Sequence, residues 1–126
     1  MKRNFLILLA VVACLGLAGC ATGGKMISPM MAEQIYGPLP ENYRQIVTDH
    51  ARKNAIDPQS VLVEFVSAPE PREKGWVGQV EVNAKNRMGG YVGNVLYEYM
   101  IQYGQVVLFL MHSDNAFRSN FTFHNL

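Results

Sequence analysis

Trp76-Val77-Gly78-Gln79-Val80-Glu81-Val82-Asn83-Ala84-Lys85 alternates with a period of two. Trp76, Gly78, Val80, Val82 and Ala84 fall on one face of an extended chain. Gln79, Glu81, Asn83 and Lys85 fall on the other. A strand with one apolar and one polar face belongs to a sheet covered on one side, the habit of antiparallel sheets. Downstream, Tyr91–Gln102 alternates again and reads as a long strand, with Tyr91, Val95, Tyr97, Tyr99 and Ile101 opposite Val92, Asn94, Leu96, Glu98, Met100 and Gln102. Asn86–Gly90 is the turn between them. Tyr103-Gly104-Gln105 is a tight turn, Val106–Met111 a last strand, and the stretch from His112 a polar tail. Upstream, Val61–Val66 is a strand that is apolar on nearly both faces, and Ala68–Gly75 reads as a charged, Pro-rich loop.

Residues 41–54 switch to a helical period. Tyr43, Ile46, Val47 and Ala51 share one face, with Glu41 near the N-terminus and Arg52 and Lys53 near the C-terminus, as the macrodipole favours. Pro40 suits the first helical position and Asn54 the stop. The expectation is an α+β domain over 41–126: one N-terminal helix on a four-stranded antiparallel meander, with Trp76, Val80 and Val82 under the helix.

The chain begins with a segment of another kind. Met1-Lys2-Arg3-Asn4 is a positive start, and Phe5–Leu17 is an apolar run too short to span a bilayer, which needs about twenty residues. Leu17-Ala18-Gly19-Cys20 follows. This resembles the lipobox of bacterial lipoproteins, which implies that 1–19 is a signal peptide and that Cys20 is the lipid attachment site and the mature N-terminus. Val11-Val12-Ala13-Cys14 matches more loosely and would cut the apolar run to about nine residues. Ala21 follows Cys20 where Asp would signal inner-membrane retention, so the resemblance implies an outer-membrane lipoprotein facing the periplasm. Residues 20–40, with Gly23, Gly24, Pro29, Gly37, Pro38 and Pro40, read as the lipidated N-terminus and a flexible tether. Within it Met26, Ile27, Met30 and Met31 form an apolar cluster that lies against the domain or the bilayer, or docks a partner.

Composition excludes several functions. The full chain has 11 Lys+Arg and 10 Asp+Glu, and without Lys2 and Arg3 the balance is slightly acidic. No basic stripe suits nucleic acid. Both cysteines, Cys14 and Cys20, precede the domain, so it has no disulfide and no thiol chemistry of its own. His50, His112 and His124 are isolated, and His112 with Asp114 lacks a third ligand. Glu64, Glu81 and Glu98 sit on three strands, where solvated carboxylates are commoner than a catalytic pair. No cofactor is implied. Asn83, Lys85, Asn86 and Arg87 with Gly89-Gly90 and Tyr91 form the densest polar cluster, a partner-binding turn or plain turn chemistry.

Pro38-Leu39-Pro40, Asp57-Pro58-Gln59-Ser60, Val82-Asn83-Ala84-Lys85-Asn86 and Gly89-Gly90-Tyr91-Val92-Gly93 resemble a group of small exported proteobacterial proteins without assigned activity. The resemblance spans about residues 38–107 and implies fold and export only. The expectation for function is a non-enzymatic lipoprotein, held to the membrane by its lipid, that binds another envelope protein. The alternative is a periplasmic ligand-binding or hydrolase-inhibitor module acting through Ala68–Gly75 or Asn86–Gly90.

Overall fold

The computed structural model describes residues 23–112. Residues 1–22, which include the expected signal peptide and Cys20, and residues 113–126, which include Asp114 and His124, lie outside that range.

The fold is mixed α+β. Two helices, α1 (Pro29–Tyr36) and α2 (Tyr43–Lys53), precede a 3-10 turn at Pro58–Ser60 and five strands: β1 (Leu62–Phe65), β2 (Glu70–Arg72), β3 (Gly75–Asn83), β4 (Val95–Gln102) and β5 (Gln105–Met111). The sheet is antiparallel, in the order β1-β3-β4-β5, with β2 also paired to β3.

The central ladder follows from the alternation. Trp76 pairs with Ile101, Gly78 with Tyr99, Val80 with Tyr97 and Val82 with Val95, so all eight side chains or positions share one face. On the flanks, Val63 and Phe65 of β1 join that face opposite Val82 and Val80. Phe109 and Met111 of β5 join it opposite Tyr99 and Tyr97. This is the core face: Trp76, Val80, Val82, Val95, Tyr97, Tyr99 and Ile101 are buried there with Val47 and Ala51 of α2 and Ala32 of α1. Tyr103 (φ 49) and Gly104 (φ 73) both take positive φ between the paired Gln102 and Gln105. That conformation matches the strand twist in a two-residue hairpin.

Four expectations are corrected. Among the described residues the single N-terminal helix and four-stranded meander become two helices and five strands. Within the stretch read as a flexible tether, residues from Gly23 onward are packed. Ser28 caps α1 by accepting from Met31 N at 3.2 Å, Pro29 takes the first helical position, and Gly37 ends the helix at φ 78. Glycine and proline read as breakers are here the helix's own start and stop. Ahead of α1, Ile27 N donates to Pro71 O and Glu73 N to Lys25 O, so this segment adds itself to the outer edge of β2. Ala68–Gly75 is therefore no free loop. It contains β2, whose Glu70, Pro71 and Arg72 pair with Val77, Trp76 and Gly75. The long strand expected from Tyr91 starts only at Val95, because Gly93 turns the chain at φ 96.

β1 and β2 are one interrupted edge. Val66 N still bonds Gln79 O, and the pairing lapses around Pro69, which has no N–H to give. β4 and β5 carry a register shift at Met100/Ile101, which lets Val106 face the core and Leu108 the other side.

Candidate functional site

The polar cluster expected at the β3–β4 connection is a self-satisfied turn. Asn86 Oδ1 accepts from Met88 N at 2.9 Å and Gly90 N at 3.2 Å, while Asn86 N donates to Gly90 O at 2.9 Å. Asn83 Oδ1 accepts from Gly93 N at 3.1 Å. Lys85 N donates to Ser60 Oγ at 3.0 Å, which ties the turn to the loop after α2. Lys85 also pairs with Tyr91 as an isolated bridge, and its Nζ lies 5.5 Å from the centre of the Tyr91 ring. The two asparagine carbonyls are thus occupied by their own backbone. Exposed on the outside stand Arg87, Tyr91 and Met88, the last 94% exposed. Asn86→Ala removes two acceptor bonds from an exposed turn. The expected cost is about 1 kcal/mol, read by urea unfolding, with faster hydrogen exchange at Met88 and Gly90.

A second feature lies on the sheet face away from the helices. Here β4 presents Leu96, Glu98 and Met100; Gln79 pairs with Glu98, and Leu110 pairs with it from β5. Glu98 is only 8% exposed, and its Oε1 has no hydrogen-bond partner. A carboxylate oxygen out of water without a donor costs about 1–3 kcal/mol or more. Around it the face is apolar toward β5, and toward β1 it carries Glu81 and Glu64 together with Leu62. Leu110 is 47% exposed and Leu62 57%. Glu64 pairs directly with Glu81, whose Oε2 accepts from Asn94 Nδ2 at 2.9 Å. Glu64, Glu81 and Glu98 therefore do share a face. Among the described residues no group of three His, Cys, Asp or Glu is placed to hold a metal ion.

The third feature is an open cleft of about 650 Å³ between α2 and the start of β5, lined by Ile46, Asp49, His50, Lys53, Gln105 and Val106 among others. The His50 ring lies 5.2 Å from Phe109. Burial, and secondarily the charge of Lys53, lowers its pKa from 6.5. Its imidazole is accordingly neutral at pH 7. Asp49 Oδ1 accepts from Gln45 Nε2 at 2.7 Å rather than from His50. Among the described residues the cleft joins no nucleophile to a base.

Cys20 lies outside the described residues. The alternation puts Leu96 and Glu98 on one side of the strand, and the expectation of a solvated carboxylate there is corrected, because Glu98 is buried. The signal available was a lone carboxylate between Leu96 and Met100 in a period-two run.

No family model matches the chain, and neither a curated protein nor a solved structure matches it.

Proposed function

We propose that this chain is an exported lipoprotein of the outer membrane, acylated at Cys20, whose domain is non-enzymatic and binds another envelope protein through the sheet face around Glu98. The observation that carries the binding surface is the buried Glu98 carboxylate with an unpartnered oxygen, beside exposed Leu110. A partner that lays apolar side chains on Leu110 and Leu62 removes exposed apolar area, and rotation of the Glu98 side chain toward a cation or N–H of that partner satisfies the unmet acceptor. The anchor rests on Leu17-Ala18-Gly19-Cys20.

Two measurements test this reading. A photo-crosslinking residue at Leu110 is expected to yield one discrete adduct in cells, and the same residue at exposed Gln59 none; no adduct at Leu110 sinks the binding face. Cys20→Ala is expected to abolish palmitate incorporation and release the protein from the membrane fraction. Continued incorporation would place the lipid elsewhere.

A second reading has one observation in its favour. Met88 projects from a turn that Asn86 holds rigid, which is how an inhibitor presents a side chain to a hydrolase cleft. Replacing Arg87-Met88 with Gly-Ser would abolish such an activity and leave the Leu110 adduct intact.

A further inference from the structure

The outer surface of α1 carries an apolar strip beside exposed Glu33 and Gln34. Ala32 faces the core, while Met30, Met31 and Ile35 are exposed, with Met26 just ahead of the helix. Met30 is 71% exposed. Thioethers and a branched alkyl chain in water over two helical turns form a patch of the kind that marks an interaction surface.

The helix cannot roll to hide this ridge. Trp76 Nε1 donates to Gly37 O at 3.0 Å, Tyr103 Oη to Ile35 O at 2.6 Å and Tyr103 N to Tyr36 O at 2.7 Å. Tyr36 Oη donates to Glu73 O. Four bonds fix the C-terminal end of α1 to three parts of the sheet.

The same end of the domain receives the chain from Cys20. Gly23 O accepts from Lys74 N at 3.1 Å, and Lys25 N donates to Glu73 Oε2 at 3.0 Å. Arg72 Nη1 donates to Gly24 O at 3.1 Å. Glu73 therefore touches both α1, through Tyr36, and the segment that leads to the lipid site. Only three residue steps separate Gly23 from Cys20. Fully extended, they span at most about 11 Å. A domain held that closely lies against the surface its lipid enters, at the end where the ridge is. Exposed Tyr103 stands beside the ridge, and aromatic rings favour that depth.

We infer that Met26, Met30, Met31 and Ile35 are a membrane-contact ridge, seated at the headgroup–acyl boundary of the same leaflet that holds the Cys20 lipid. The inference rests on the lipoprotein reading. It assigns the ridge to phospholipid and leaves the sheet face around Glu98 to the protein partner.

The test uses the lipidated full mature chain in vesicles of phosphatidylethanolamine and phosphatidylglycerol. Cys14 leaves with the leader and the Cys20 thiol carries the lipid, so Met30→Cys supplies a single site for a nitroxide. Arg87→Cys is the reference, because nine-residue β3 separates its turn from the Glu73 end by about 27 Å. The Met30 nitroxide is expected to show an oxygen-over-nickel-chelate accessibility several-fold above that at Arg87, and Met31→Cys to repeat it. Equal chelate accessibility at the two sites, in a sample whose intact mass shows acylated Cys20, overturns the ridge alone. So does a Met30 label that is water-exposed in these vesicles but immobilised in native envelopes, which would mean a protein sits there. An unmodified Cys20 in the intact mass overturns the lipoprotein reading, and the ridge with it.

Discussion

Gly78→Ala is expected to destabilise the domain by about 3 kcal/mol, the upper part of the usual overpacking range. A methyl at Gly78 would lie 2.4 Å from Tyr99 Oη and 2.5 Å from Tyr99 Cζ. Gly78 and Tyr99 are paired across β3 and β4, so the tyrosine ring occupies the room that the missing side chain leaves. The ring cannot swing aside. It is fully buried, with Phe65 edge-on at 6.2 Å. Burial also raises the Tyr99 hydroxyl pKa, as does the nearby Tyr43, against a smaller opposing effect of Arg44. Its Oη has no hydrogen-bond partner, so a shifted ring has no bond to lose and only contacts to strain. For a domain of this size 3 kcal/mol corresponds to roughly 12–24 °C in melting temperature. Thermal unfolding followed by circular dichroism measures it. The partner substitution sharpens the expectation. Tyr99→Phe should not rescue Gly78→Ala, because Cζ itself is too close. Tyr99→Leu should recover part of the loss, so that the two changes together cost less than their sum. A Gly78→Ala protein as stable as the parent would mean the sheet can spread at this pair.

Trp76→Ala should cost about 3–5 kcal/mol, as large-to-small changes of buried aromatic residues do. A domain of this length has a total stability on the order of 5–13 kcal/mol, so about a quarter or more of it would go. Trp76 packs in the core cluster that includes Ala32 of α1, and its Nε1 reaches the carbonyl at the end of that helix. The two contributions separate. Trp76→Phe keeps most of the ring volume and leaves Gly37 O without its donor, for an expected cost of about 1–2 kcal/mol. In that variant the amides of α1 should lose hydrogen-exchange protection while those of α2 and β4 keep theirs. Equal protection loss in all three elements would show that Trp76 supports the whole core and not α1 in particular.

These two sites mark what the sequence does and does not reveal. The alternation from Trp76 to Lys85 is enough to assign β3, its covered face and its antiparallel neighbour, since period two leaves no other placement for those apolar side chains. The i, i+3, i+4 spacing of Tyr43, Ile46 and Val47 is likewise enough for α2. α1 was hidden by composition. Ser28, Pro29 and Gly37 serve equally as linker residues and as helix caps, and only the packing of Ala32 and the bond from Trp76 decides between the two. β2 was hidden because Glu-Pro-Arg has little strand preference. It is extended because β3 pairs it on one side and Gly23–Ile27 on the other, partners distant in sequence. The candidate site divides in the same way. Asn86 and Gly90 announce a turn, and the turn is there. That Asn86 spends its carbonyl on its own backbone, and that Glu98 is out of water, depend on neighbours no local pattern specifies.

The interrupted edge of the sheet has a consequence for how copies of the protein meet. An open strand edge is a template on which a second copy can add. On the β1–β2 side little template is left. β2 is already paired along its outer edge by Gly23–Ile27, Pro69 interrupts the ladder, and β1 offers only four residues, with Glu64 among them. The Gly23–Ile27 segment thus also closes this edge of the sheet against a second copy.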